Sequence, residues 1–426
     1  MQYKKEELNK KVQTWIHAWK QGPDILFYTA LTMYLVYNEA RLVQWTAPEA
    51  STLQNALLNL TAAVIGCYVI TVLLRLRKNL WMGLLCASAA VLFVLFWPDR
   101  GHWVRIYCVS VALILLAAGK NYRRVLKCYL YVTLAVMCVT FMGQIFHFTS
   151  DVVLEDPGKI EQVGTGHSLG FAHPNVTGLF IYLICVLVWY LWLEQRRYLS
   201  VVLFWGAASV VWFVMKSRTV FALLVCMPFL DLLRRFIVRA RPDTKGRRVR
   251  RGVLRGILAG MPFLAWLLSL FLAENMDALT LKTTGTFFWT FSSRFVQGGI
   301  VIKTFGVPLF FHGNRFTEPV YMVVGGQNQG AEVLDNPYLK DLVLRGLILT
   351  IAELLILVFV NIRCIRERNS RLLLLSVLFT LIGLMENYGV RVQYNFTFLY
   401  LFAATDIISA PRASLQTAED AAKQIP

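Results

Sequence analysis

This chain gives sulfur and metal chemistry little to work with. Its eight cysteines (Cys67, Cys86, Cys108, Cys128, Cys138, Cys185, Cys226 and Cys364) all fall in or beside apolar stretches, and none forms a C-x-x-C pair. A disulfide framework or thiol redox centre is therefore not expected, and these residues read as small apolar packers. The six histidines are scattered, with no H-E-x-x-H and no paired Asp-x-Asp. That excludes a zincin-type centre and a carboxylate pair gripping a divalent cation beside a nucleotide sugar, and no metal site is expected. A G-x-x-x-x-G-K-[ST] loop is also missing, which removes ATP hydrolysis by that route. Charge is sparse, at 16% of residues, and negative charge sparser: 25 Asp and Glu stand against 43 Lys and Arg. No convincing internal repeat is visible, which counts against the paired broken helices of many transporters.

What the chain has in abundance is apolar length. Hydrophobic residues make up 57% and aromatics 13%, with a mean hydropathy of +0.54, beyond the balance of a water-soluble globular protein. About 20 residues at 1.5 Å rise cross the hydrocarbon core. Runs of that size predict an all-α polytopic membrane protein of about 12 spans, at 24–45, 56–75, 79–98, 103–119, 125–147, 174–193, 198–215, 219–238, 255–274, 339–361, 371–388 and 392–410.

With the N-terminus in the cytoplasm, the inner segments of this scheme hold 30 of the 43 Lys and Arg, the positive-inside asymmetry of plasma-membrane proteins. Both termini are then cytoplasmic. The basic run RRFIVRARPDTKGRRVRRGVLR becomes an inner loop meeting anionic headgroups, and no nucleic-acid partner is implied. The first 23 residues are too charged for a signal peptide. Leu8, Val12, Trp15, Ile16 and Trp19 recur at helical spacing among lysines, as in a helix lying in the inner headgroup region. The expected organisation is a cytoplasmic amphipathic segment (1–23), spans one to nine (24–274), a large extracytoplasmic loop (275–338), spans ten to twelve (339–410) and a cytoplasmic tail (411–426). Glu353 is the acid that falls plainly within a span, with Arg345 a candidate partner.

Three outward regions carry candidate chemistry. Residues 151–178 are acidic and Gly-rich, then turn at His173-Pro174-Asn175 into the sixth span. Pro suits a first helical turn, so a capped helix start is one reading. The other places His167, His173 or Asn175 at a polar cavity, with the helix N-terminus offering donors to an anion. Lys216-Ser217-Arg218-Thr219 sets two cations in a short outer turn, where Arg218 either snorkels to lipid phosphate or holds a substrate phosphate. In the large loop, Ser293-Arg294 heads an apolar stretch (Phe295, Ile300, Ile302, Phe305, Leu309, Phe310) that predicts an amphipathic helix on the bilayer surface. His312, Asn314 and Arg315 stand at its tail. GGQNQG and Asp335-Asn336-Pro337-Tyr338 follow, where Asp335 or Asn336 can cap the next span. Guanidinium forks match phosphate oxygens, and a histidine can relieve a hydroxyl of its proton.

GFAHPN (170–175), SRT (217–219), SRF (293–295) with FG (305–306) downstream, and DN-x-Y (335–338), in that order and topology, resemble the bacterial O-antigen and capsular polysaccharide polymerases and the related O-antigen ligases. The resemblance covers roughly residues 130–390. It implies a multi-helix glycosyltransferase of the C type in the bacterial plasma membrane. Such an enzyme is metal- and cofactor-independent and inverting, and it joins undecaprenyl-diphosphate-linked repeat units at the outer face. Donor and acceptor glycans, membrane lipid and a chain-length regulator protein are the partners implied. Carried onto this sequence, Arg218, Arg294 and Arg315 bind the diphosphate. His312, Asp335 or His173 serves the acceptor hydroxyl, and Asn175, Asn336 and Tyr338 contact substrate. Phe residues in PLFFHGN depart from the glycine more usual in the family, which loosens the match around His312. Ligase-type transfer of finished glycan and transport of a lipid-linked glycan are the alternatives.

Overall fold

A computed structural model describes residues 22–46, 50–73, 84–91, 102–154, 165–193, 195–239, 245–284, 288–310, 319–331, 334–386 and 391–404. The expected N-terminal amphipathic helix, His312, Arg315 and the C-terminal tail lie outside these residues. The described chain is mainly helical. Among the described residues, six helices are long and apolar enough to cross a membrane: Thr52–Leu73, Tyr122–Ile145, Pro174–Trp192, Arg197–Met215, Gly252–Glu274 and Leu347–Arg366.

In chain order the elements are α1 (22–40), α2 (Ala50–Leu73), α3 (84–91), α4 (His102–Leu116) and α5 (Tyr122–Ile145). The short antiparallel pair β1 (Val153–Leu154) and β2 (Gly166–His167) precedes α6 (Pro174–Trp192). Then come α7 (Arg197–Val210) with a π-turn (Val211–Met215), α8 (Arg218–Arg239) and α9 (Lys245–Glu274). The predicted outer loop contains α10 (Met276–Thr283), α11 (Trp289–Phe305) and a hairpin of β3 (Val320–Val324) and β4 (Gln327–Ala331). The chain continues through α12 (Pro337–Arg345), α13 (Leu347–Arg366) and α14 (Ser370–Ile382) to a 3-10 turn at Phe396–Leu401.

Local chemistry explains the helix starts. His173 caps α6 by accepting from the Asn175 amide, with Pro174 in the first turn where its missing N–H costs nothing. Asn121 caps α5 and Asn369 caps α14 in the same manner. α6 is the central helix: Phe180, Leu183, Leu187 and Trp189 are all buried in the main core. The exposed apolar side chains of α7 and its π-turn, α8 and α9, such as Val202, Phe213, Phe236 and Phe271, form the kind of surface that faces lipid.

Four expected spans take other forms. The fourth is the 15-residue α4, short of the roughly 20 residues a crossing needs. The tenth is broken at Gly346, whose φ of +88° no L-residue adopts comfortably. A Cβ there would meet the Phe310 backbone at 2.8 Å, and the first amides of α13 bond instead to Pro308 O and Leu309 O. The eleventh ends at Ile382 rather than 388. The twelfth, expected at 392–410, is not an α-helix over its described part. Residues 392–404 form turns and a 3-10 segment, mostly buried. Arg363 makes this possible: its guanidinium donates to the carbonyls of Tyr400, Leu401 (2.8 Å) and Ala403 (2.8 Å). Non-helical backbone is tolerated at such depth only when its polar groups are satisfied internally.

The surface helix expected after Arg294 forms as α11, but it is packed into protein. Phe295, Val296, Ile300 and Val301 are at most 1% exposed. Gly298 and Gly299 explain the depth. A Cβ on Gly299 would lie 2.5 Å from Ala273 O, and one on Gly298 would lie 2.2 Å from a Leu339 methyl, so α11 sits directly on α9 and α12. Leu309 and Phe310, expected on the same face, lie beyond the helix end and are exposed. None of the eight cysteines forms a disulfide. Arg345 does pair with Glu353, at 2.8 Å, and with Asp341, at 3.2 Å. Glu353 is not alone among buried acids: Glu39, Asp231 and Glu386 are buried too.

Candidate functional site

The site assembles around a residue that motif reading passed over. Glu386 lies four residues past α14, and its carboxylate meets side chains from three distant segments. Its Oε1 accepts from Asn175 Nδ2 at 3.5 Å, from the Thr219 hydroxyl at 3.4 Å and from Arg294 Nη2 at 3.4 Å. Arg294 also faces Asp335, with Nε 3.7 Å from Oδ2. The HPN, SRT, SRF and DNPY segments, far apart in sequence, thus converge on one ionic cluster.

Each segment is aimed by its element. Asn175 is in the first turn of α6, directly after the His173 cap. Arg218 and Thr219 open α8 after an unusual approach: a π-turn, then Lys216 in the left-handed region with φ 57°. A non-glycine residue there carries backbone strain, as functional segments often do. α11 carries Arg294 one turn before the Gly298-Gly299 contact that holds the helix down.

Asn336 and Tyr338 have internal roles. Asn336 is fully buried, caps α12 by accepting from the Leu339 amide, and donates to Ser269 Oγ at 3.1 Å and Leu384 O at 3.4 Å. Tyr338 is 1% exposed and its hydroxyl donates to Thr380 O at 2.6 Å. Expected to touch substrate, both instead tie α12 to the segment that delivers Glu386. His173 uses Nδ1 as a cap acceptor, so that nitrogen is occupied with backbone. Of the expected diphosphate and acid–base residues, Arg218, Arg294 and Asp335 are therefore at the cluster or its edge.

Burial sets the electrostatics. The Arg294 side chain is 12% exposed and that of Glu386 is 9%, against 39% for Asp335. Desolvation pushes the Glu386 carboxyl up to about 7, with the Asp335 charge adding to it and the Arg294 charge opposing it. The contacts of Arg294 with Glu386 and Asp335 are longer than the 2.7–2.9 Å or so of a tight charge-assisted bond. An incoming dianion would compete with these two carboxylates for the guanidinium.

Beside the cluster runs an apolar groove of about 440 Å³. Leu223, Cys226, Phe291, Leu378, Leu381 and Met385 line it, with Arg218 and Thr219 as its polar residues. A long apolar wall with a few convergent polar groups is the usual make-up of a ligand site. The signal read for Glu353 applies to Glu386 as well, which falls within the span expected at 371–388, and ionisable residues inside spans are functional candidates by default. No protein-family model, curated protein or solved structure matches the chain.

Proposed function

We propose that this protein is a glycosyltransferase of the bacterial plasma membrane that polymerises oligosaccharide repeat units carried on undecaprenyl diphosphate. The observation that carries the reading is the joining of an apolar groove, through Arg218 and Thr219, to the buried Arg294–Glu386 ion pair. An amphiphile with a hydrocarbon tail and an anionic head fits both parts. The tail lies against Leu223, Phe291 and Leu378, and the diphosphate meets Arg218 and Arg294.

The chemistry asked of these residues is modest. A lipid diphosphate is already a good leaving group. Fixed guanidinium donors neutralise the charge that grows on it as the anomeric bond breaks, and one such contact is worth about 10²–10³ in rate by analogy with oxyanion donors. Glu386 and Asp335 hold Arg294 in place until the diphosphate arrives. Attack by the acceptor hydroxyl from the opposite side inverts the anomeric configuration.

The test is deletion of the gene in its host, followed by gel analysis of lipid-linked and surface glycans, with wild-type and Arg294→Ala genes returned on plasmids. Single repeat units on the carrier, and a ladder restored by wild type alone, are expected. Full-length polymer stranded on the carrier would mean a ligase. An unchanged ladder would overturn the reading.

A further inference from the structure

Outside the arginine cluster, the described outer segments contain a second built arrangement of titratable groups. Asp151 Oδ2 meets His167 Nδ1 at 2.7 Å. The other carboxylate oxygen accepts from the Ser168 amide (2.8 Å), the Ser168 hydroxyl (3.1 Å) and the Leu169 amide (2.9 Å). Burial works against the Asp151 charge, but these hydrogen bonds outweigh it and keep the carboxyl below its usual range. Asp151 is thus a fixed anion that takes the Nδ1–H of His167 and leaves Nε2 as the proton-accepting atom. His167 itself is about half exposed (46%), so a substrate can reach it.

The dyad is fastened to the segments that supply the cluster. A Cβ on Gly166 would lie 2.6 Å from Met215 O and 3.3 Å from Lys216 Cβ, so the strand bearing His167 is pressed onto the turn that leads into Arg218. On its other side the Thr177 hydroxyl donates to Ser168 O, two residues along α6 from Asn175. Asp335 and Glu386 are engaged with Arg294, and His173 with its helix cap. A carboxylate set behind the imidazole, as Asp151 stands behind His167, is the arrangement that makes histidine an effective proton acceptor.

We infer that His167, oriented by Asp151, is the catalytic base that accepts the proton of the acceptor hydroxyl. This rests on the polymerase reading above. The acceptor oxygen forms its bond to the anomeric carbon as the bond from that carbon to the diphosphate oxygen breaks. The electron pair leaves with the lipid diphosphate, held by Arg218 and Arg294. The hydroxyl proton passes to His167 Nε2 and from there to solvent, while the Asp151 carboxylate stabilises the imidazolium.

The experiment uses full-length protein in lipid nanodiscs and, as substrate, lipid-linked repeat units extracted from the deletion strain. His167→Ala should lower kcat by about 10²–10⁴ with KM within twofold, and added imidazole should restore turnover. His167→Asn keeps a donor for Asp151 and preserves the loop. It should lose turnover likewise while eluting from size exclusion as wild type does. Wild-type turnover in either variant, or a loss in His167→Ala that imidazole leaves untouched while His167→Asn stays active, would overturn the assignment. If wild type makes no polymer from this substrate, the polymerase reading falls and this inference with it; a failed dyad beside an active wild type leaves that reading standing.

Discussion

Arg294 holds its charge between Glu386 and Asp335, and this makes anion binding a proton-linked event. Ionised Glu386 competes with the diphosphate for the guanidinium. Because burial raises the Glu386 carboxyl to about 7, lowering the pH through 7 protonates it and removes the competitor. Affinity for a glycosylated lipid diphosphate, whose diester phosphates do not titrate in this range, should therefore rise as pH falls from 8 to 6. One proton taken up corresponds to at most about tenfold per pH unit. Titration calorimetry at the two pH values checks this, and in Glu386→Gln the dependence should vanish. Arg294→Ala and Arg218→Ala should each abolish polymer at normal insertion levels. Arg294→Lys should be partly active at best, since an ammonium cannot reproduce the planar fork. The buried Arg345–Glu353–Asp341 group makes a different prediction. Arg345→Met leaves two acids without their shared cation, so it should destabilise the protein by about 3–5 kcal/mol, read as earlier thermal unfolding in detergent.

Among the elements, α11 is the one on which the site depends most directly. Its position follows from two glycines rather than from its apolar stripe. Gly299→Val places methyl groups where Ala273 O lies 2.5 Å from a Cβ, so the helix must move off α9 and carry Arg294 away from Glu386. Polymer formation should fall to the level of Arg294→Ala while the protein still inserts, measured on the same gel. The hydrophobic pattern of residues 295–310 did announce a helix. It could not say that the apolar face meets protein instead of lipid, because both partners reward the same side chains. Gly346 is a similar case. A glycine within an apolar run is compatible with a continuous span, and it becomes a break here because Pro308 and Leu309 supply carbonyls to the freed amides.

At the scale of the molecule, the chain is a membrane-embedded helical protein in which several distant segments meet at one place. The charge asymmetry predicts that reporters fused at residue 244 and at residue 332 fall on opposite sides of the membrane, with the first inside. Enzymatic tags active on one side only would check it, and both on the same side would overturn the scheme of loops. The helical membrane class and the positions of the longest helices were legible from hydropathy and charge. These are properties of consecutive residues, which lipid and water sort one segment at a time. The convergence on Glu386 was decided by the tertiary structure alone. Asn175 and Glu386 are 211 residues apart, and Arg294 and Glu386 are 92 apart. Local periodicity holds no record of such pairings, which depend on how α6, α8 and α11 pack. The same holds for residues 392–404, apolar enough to be read as a span. They form turns because Arg363, from a different helix, satisfies their carbonyls.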